Sequence, residues 1–267
     1  MKHLLTVIIV LAALTAPPTL AGSAQKEEIT LPVTLVEKFA KDVEIYAANE
    51  GARAFIIARV GRLEKELPEG IKFTHTAVAV YSTITLETGE QVNGYAIHNL
   101  YQKTSQLDKS ELVVDYPIDF FWGVNNLKAG IIIPTPALQN RIIEVIASGK
   151  DKQIHNENYS VIANPFNDIF QNCTEHTLNV INASIYQTTD INQLKLTATE
   201  HFKPQKVKAN RFKLMLGNWF IDDVSTKDHS GKIYTTTFLS IGRYLQHNDL
   251  LTKAVIITPD GVEAQLL

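Results

Sequence analysis

Between residues 34 and 49, apolar positions fall at Leu35, Phe39, Val43, Ile45 and Tyr46, and Asn49-Glu50-Gly51 breaks the run. That spacing predicts an amphipathic helix. The period then changes. Ala54 to Val60 is a short apolar run closed by Gly61, as a buried strand would be. Phe73 to Leu86 is rich in Thr, Val, Ile and Tyr and predicts a second strand, with Val92 to Tyr101 as the return strand. Between them Glu87-Thr88-Gly89-Glu90 forms a hairpin turn. A turn centred on Thr88-Gly89 pairs Leu86 with Gln91, which sets His75 opposite Gln102 and His98 opposite Ala79.

Residues 104–130 mix polar and aromatic side chains and read as loops with short elements. Ile131 to Ile133 reads as a strand. Thr135-Pro136 opens a helix that runs to Ala147 and stops at Ser148-Gly149. Asn164 to Asn172 is irregular, and helices follow from Cys173 to Ala183 and from Ile191 to Glu200. The last third turns strand-like over Lys213–Ile221, Lys232–Ile241 and Ala254–Thr258. This order predicts an α+β fold with a mainly antiparallel sheet. In it, a helix carrying a cysteine at its N-terminus packs on the sheet.

Residues 1–24 read as a leader rather than as fold. Met1-Lys2-His3 precedes an apolar run from Leu4 to Leu14, and small residues allow cleavage after Ala21 or Ala24. The apolar run is too short to span a membrane as a helix, and no later segment is long and apolar enough. The expectation is an exported, periplasmic protein with no membrane span. Residues 25–205 would form the main domain, and residues 206–267 a β-rich C-terminal extension packed on it.

Composition narrows the chemistry. With 25 basic and 28 acidic residues the net charge is -3, which argues against a nucleic-acid partner. A single cysteine excludes an internal disulfide and any zinc site built on several cysteines. The sequence calls for no metal and no cofactor. Export would place Cys173 unpaired in an oxidising compartment, either as a buried small apolar residue or as a useful thiol.

Gln171-Asn172-Cys173-Thr174-Glu175-His176 places that thiol where an irregular segment becomes a helix. Unpaired N–H groups and the positive dipole end favour a thiolate there, so a lowered pKa is expected. His75 is the expected base, on a strand face with the small neighbours Ala77 and Ala79. His98 or Gln102 on the return strand would orient its ring. Gln171 and Asn172 flank the position where an oxyanion would form.

A histidine at a strand start, followed later by Asn-Cys at a helix start, resembles the circularly permuted papain-like enzymes, a group that includes the NlpC-like and lecithin–retinol acyltransferase-like hydrolases. The strings Ala58-Arg59-Val60-Gly61, Phe73-Thr74-His75, Ala96-Ile97-His98-Asn99-Leu100, Phe120-Phe121 and Gln171-Asn172-Cys173 also resemble an exported bacterial family catalogued only as a domain of unknown function. The first resemblance implies a permuted papain-like core. It also implies an acyl-enzyme on Cys173, and the periplasmic compartment would supply a peptidoglycan peptide, lipoprotein or lipid as its substrate. The second implies export and no substrate. A non-catalytic binding or envelope-assembly protein on the same scaffold is the other reading.

Overall fold

The computed structural model describes residues 30–61, 67, 69–86, 88–207 and 225–267. The expected leader and the expected strand Lys213–Ile221 lie outside them. In chain order the elements are α1 (Val33–Asn49), β1 (Ala54–Arg59), β2 (His75–Thr85), β3 (Gln91–Gln102), β4 (Ser110–Asp115), α2 (Pro117–Phe120), β5 (Ala129–Pro134), α3 (Pro136–Ala147), α4 (Lys150–Gln153), α5 (Cys173–Tyr186), α6 (Ile191–His201), β6 (Gln205–Val207), β7 (Ile233–Thr235), α7 (Phe238–His247), β8 (Leu251–Thr258) and β9 (Gly261–Gln265).

Seven strands form one sheet in the order β4-β3-β2-β1-β5-β8-β9, and every pairing is antiparallel. The central strands β1 and β5 are buried along their whole length, because helices cover both sheet faces. A strand covered on both sides has no solvent face to mark with polar residues, hence the near-continuous apolar runs. On one face α1 and α2 pack Phe39, Val43, Phe120 and Phe121 against Phe55, Ile57, Ala77 and Ile97. On the other, α3, α5, α6 and α7 pack Ile142, Leu178, Ile181, Leu194 and Leu245 against Ile56, Val78, Val80 and Ile132. Gly130 in β5 is required by close approach. A Cβ there would lie 2.5 Å from the Phe238 ring and 2.8 Å from the Phe73 ring, which meet edge to face.

The chain is thus α+β with a large antiparallel sheet and several helices, and no helix among the described residues is long and apolar enough to cross a membrane. Two stretches differ from the pattern reading. Residues 104–130 contain β4, an edge strand whose mixed polarity (Ser-Glu-Leu-Val-Val-Asp) hides its period, and the one-turn helix α2. Within Lys232–Ile241 only Ile233–Thr235 is strand. The Thr237 side chain then accepts from the Ser240 N–H, and the Ser240 hydroxyl accepts from the Thr237 N–H, so a capping box opens α7. The β-branched run Thr235-Thr236-Thr237 conceals that helix start. Strands β8 and β9 complete the main sheet beside β5.

Candidate active site

The β2–β3 turn decides which side chains can meet. Leu86 N–H donates to Glu90 O, and Thr85 pairs with Gln91, so Leu86 faces Glu90 rather than the Gln91 that a two-residue turn would set against it. Gly89, at φ +83°, supplies the left-handed residue that a three-residue loop needs. The whole register moves by one. His98 opposes Val78 instead of Ala79, and a shift of one residue sends a side chain to the other face of the sheet. His98 and Gln102 therefore leave the His75 face, and Asn99 and Tyr101 occupy it. Neither expected partner touches the His75 ring: Gln102 donates to Leu107 O at 2.8 Å, inside its own loop.

His75 is completely buried. Its Nε2 lies 2.9 Å from Asn99 Oδ1. Asn99 Nδ2 donates to Ile97 O at 2.9 Å and to Asp115 Oδ2 at 3.3 Å. The same carboxylate oxygen accepts from the Tyr101 hydroxyl at 2.5 Å. The Tyr101 ring stacks on the imidazole with centroids 4.7 Å apart, and Phe120 closes from α2 at 5.6 Å. The Arg59 guanidinium, from the residue paired with His75 across β1, lies over both aromatic rings and donates to Trp122 O. Burial, with Arg59 adding to it, pushes His75 down to about 3, so the imidazole is neutral at pH 7. Its Nδ1 is buried and has no hydrogen-bond partner.

Cys173 is the first residue of α5, capped by Asn172, whose side chain accepts from Glu175 N–H at 2.9 Å. The cap takes that donor and leaves the N–H groups of Cys173 and Thr174 to the sulfur. A third donor is the N–H of Thr76, which belongs to the peptide joined to His75. The thiol thus sits against the backbone of the histidine strand, although no hydrogen bond joins it to the imidazole. Its pKa corrects the sequence expectation. Burial pushes it up to about 11, although the three N–H donors and Arg59 favour the thiolate. Desolvation of a fully buried group is worth up to several pKa units, whereas a helix N-terminus is worth about one.

Gln171 and Asn172 flank the thiol in sequence, but their side chains are committed elsewhere. Gln171 bridges Asn156 N–H and Ile154 O. Asn172 holds the helix cap and donates to Val161 O. His176 points away, toward His155, whose ring meets it edge-on at 6.1 Å. Glu175 pairs with Lys195 and accepts from Asn179 inside the α5–α6 contact. No group of three or more His, Cys, Asp and Glu among the described residues is arranged to hold a metal ion.

Sequence reasoning missed Asn99, Tyr101, Asp115 and Arg59. The first two were within reach, because their spacing of two places them on one strand face, and only the loop length withheld which face. Arg59 and Asp115 reach the site through strand pairings that no local pattern reveals.

Fold and site together define an α+β protein with a buried histidine–asparagine pair on a large antiparallel sheet and a single cysteine where a helix meets it. Residues 46–245 match the family described as "Uncharacterized protein conserved in bacteria (DUF2145)", and the chain belongs to that family. No curated protein and no solved structure matches it.

Proposed function

We propose that this chain is an exported cysteine-dependent hydrolase or acyltransferase of permuted papain-like type. It would act in the bacterial periplasm on an amide or ester bond of a peptidoglycan peptide, lipoprotein or lipid. The observation that carries the reading is the His75 imidazole. One nitrogen is tied to Asn99, and the other is unpartnered, on the strand whose next N–H holds the Cys173 thiol. A base held by a third group beside a nucleophile is the arrangement covalent catalysis needs.

In this reading the Cys173 Sγ–H proton moves to His75 Nδ1 as sulfur bonds to the substrate carbonyl carbon. Backbone N–H groups at the start of α5 steady the oxyanion. His75 returns the proton to the departing amine or alcohol as its bond to carbon breaks, leaving a thioester on Cys173. Water then gives a proton to His75 as its oxygen bonds to the thioester carbon, the C–S bond breaks to release the acid, and His75 returns the proton to the Cys173 sulfur; an acceptor amine or alcohol takes the acyl group by the same exchange. Thiol and imidazole start neutral, so the ion pair forms only as the reaction proceeds.

The test is a screen of the full chain on peptidoglycan fragments, lipopeptides and phospholipids, with mass spectrometry of the trapped acyl-enzyme. Cys173→Ala should remove turnover and the adduct. An active Cys173→Ala protein ends the proposal. Burial of the thiol favours a second reading, a non-catalytic binding or envelope-assembly protein, in which envelope fragments bind without turnover and without labelling Cys173. Export is read from the mature N-terminus, expected at Gly22 or Gln25, and intact Met1 on periplasmic protein overturns it.

A further inference from the structure

The imidazole has two neighbours that are themselves bound to one atom. Asn99 meets its edge and Tyr101 its face, and both donate to Asp115 Oδ2. The Asn99 amide can be oriented from its partners. Its nitrogen faces a carbonyl oxygen, Ile97 O, and a carboxylate oxygen, Asp115 Oδ2, which accept only. Turning the amide over would set three oxygens against one another. The amide oxygen is therefore left for His75, and an amide oxygen also only accepts, so Nε2 must carry the hydrogen. The lone pair is then on Nδ1, the nitrogen with no partner.

We propose that Asp115 is a positioning residue: its carboxylate, through Asn99 and Tyr101, holds His75 as the Nε2–H tautomer with the Nδ1 lone pair free to take a proton. This rests on the reading of His75 as the base, but the tautomer is measurable without any substrate. Asp115 stands at the end of β4, opposite Ile97, and is buried. Its Oδ2 accepts both donors, so a single acceptor oxygen at that point should be enough. Tyr101 adds the stacked ring that stops the imidazole from tilting and the hydroxyl that fixes the carboxylate.

The experiment is two-bond 15N–1H correlation on the uniformly 15N-labelled full chain, with His75 assigned by its loss in His75→Gln. Wild type should show a protonated Nε2 and an unprotonated Nδ1 at pH 7. Asp115→Asn, which keeps one oxygen for both donors, should retain that pattern. Asp115→Leu, which keeps bulk and removes the acceptor, should shift His75 toward the Nδ1–H form. Tyr101→Phe should keep the tautomer, because Asp115 still accepts from Asn99. Once a substrate is known, Asp115→Leu should lower kcat by roughly 10²- to 10⁴-fold with KM little changed, and Asp115→Asn should stay near wild type. An Nδ1–H imidazole in wild type overturns the proposal, as does an Asp115→Leu spectrum identical to wild type. If Asp115→Leu does not fold, Asp115→Ala carries the same reading, and the wild-type spectrum decides the tautomer by itself. Failure to find turnover, or an active Cys173→Ala, would sink the proposed function and leave the tautomer result standing.

Discussion

Histidines gather on both faces of the β2–β3 hairpin, and the two groups behave differently. On the α2 face His75 sits in a chain of hydrogen bonds through Asn99 to Asp115, under a stacked tyrosine, and the N–H of the next residue on its strand meets the only cysteine. On the α5 face His98, His155 and His176 form a loose group. Burial pushes His98 down to about 4 and His176 to about 3 and also lowers His155, so proton affinity alone does not tell the two groups apart. His155 bonds Ser110 Oγ, and His176 Nδ1 has no hydrogen-bond partner. A lowered pKa in both places reports desolvation first, with neighbouring positive charge added to it. What separates them is the chain of partners that ties the His75 ring through Asn99 to Asp115, together with the Cys173 thiol at the next backbone N–H of its strand.

The largest expected effect breaks the α2-face group. His75→Ala should lower turnover by roughly 10²- to 10⁴-fold, and Asn99→Ala should lower it less. The double variant should be little worse than His75→Ala, because members of one unit are non-additive. His176→Ala should leave turnover within a few-fold of wild type. Steady-state rates on a substrate from the screen check this, with circular dichroism to confirm folding. Additive losses from His75 and Asn99, or a collapse at His176, would dissolve the distinction.

Much of the frame was legible from pattern. The helices near 34–49, 136–147, 173–183 and 191–200, and the strands of the hairpin, follow from apolar period and end signals; the first two helices bury one clear face, whereas Cys173 to Ser184 is buried on every side and was legible from its Asn172 start. The site was legible as two residue types, Cys173 and His75, at element starts. Its wiring was not. A two-residue and a three-residue loop both fit Glu87-Thr88-Gly89-Glu90, and the choice moves every partner to the opposite face. That is why His98 and Gln102 stood where Asn99 and Tyr101 belong. The state of the thiol was equally hidden. A helix start is visible in sequence, whereas the depth of packing over it is a property of the whole sheet, and depth wins.

A smaller effect sharpens the contrast at the thiol. With Cys173 raised to about 11, iodoacetamide should label the folded protein with a midpoint well above the value of about 8.5 for a free cysteine. The sign for stability follows. The folded thiol holds its proton more tightly than the unfolded one, so its contribution is complete below the unfolded pKa and is lost as pH rises toward 11. Cys173→Ala should therefore flatten the fall of Tm on the alkaline side. A labelling midpoint below 8.5 would mean that an open, electropositive site dominates in solution.

The smallest effect isolates burial from chemistry. His75, His98 and His176 all have pKa values in the folded protein of about 3 to 4, below the ordinary 6.5. Each takes up a proton on unfolding between those limits, so each contributes stability that is present above 6.5 and lost as pH falls toward 3 or 4. His98 is the cleanest residue to remove. It is half-buried, opposes Val78 and Val114 in the ladder, and lies on the face away from Asn99. His98→Leu keeps an apolar side chain there and deletes one titrating group, along with any repulsion from Lys152. Its Tm should fall less steeply than that of wild type between pH 6.5 and 4, by at most about one proton's worth of slope. Turnover at pH 7 should stay within about two-fold, because no hydrogen bond runs from His98 to the α2-face group. An unchanged acid slope would show that His98 is solvated in the folded protein, and a large loss of turnover would show that the two faces of the hairpin act as one centre.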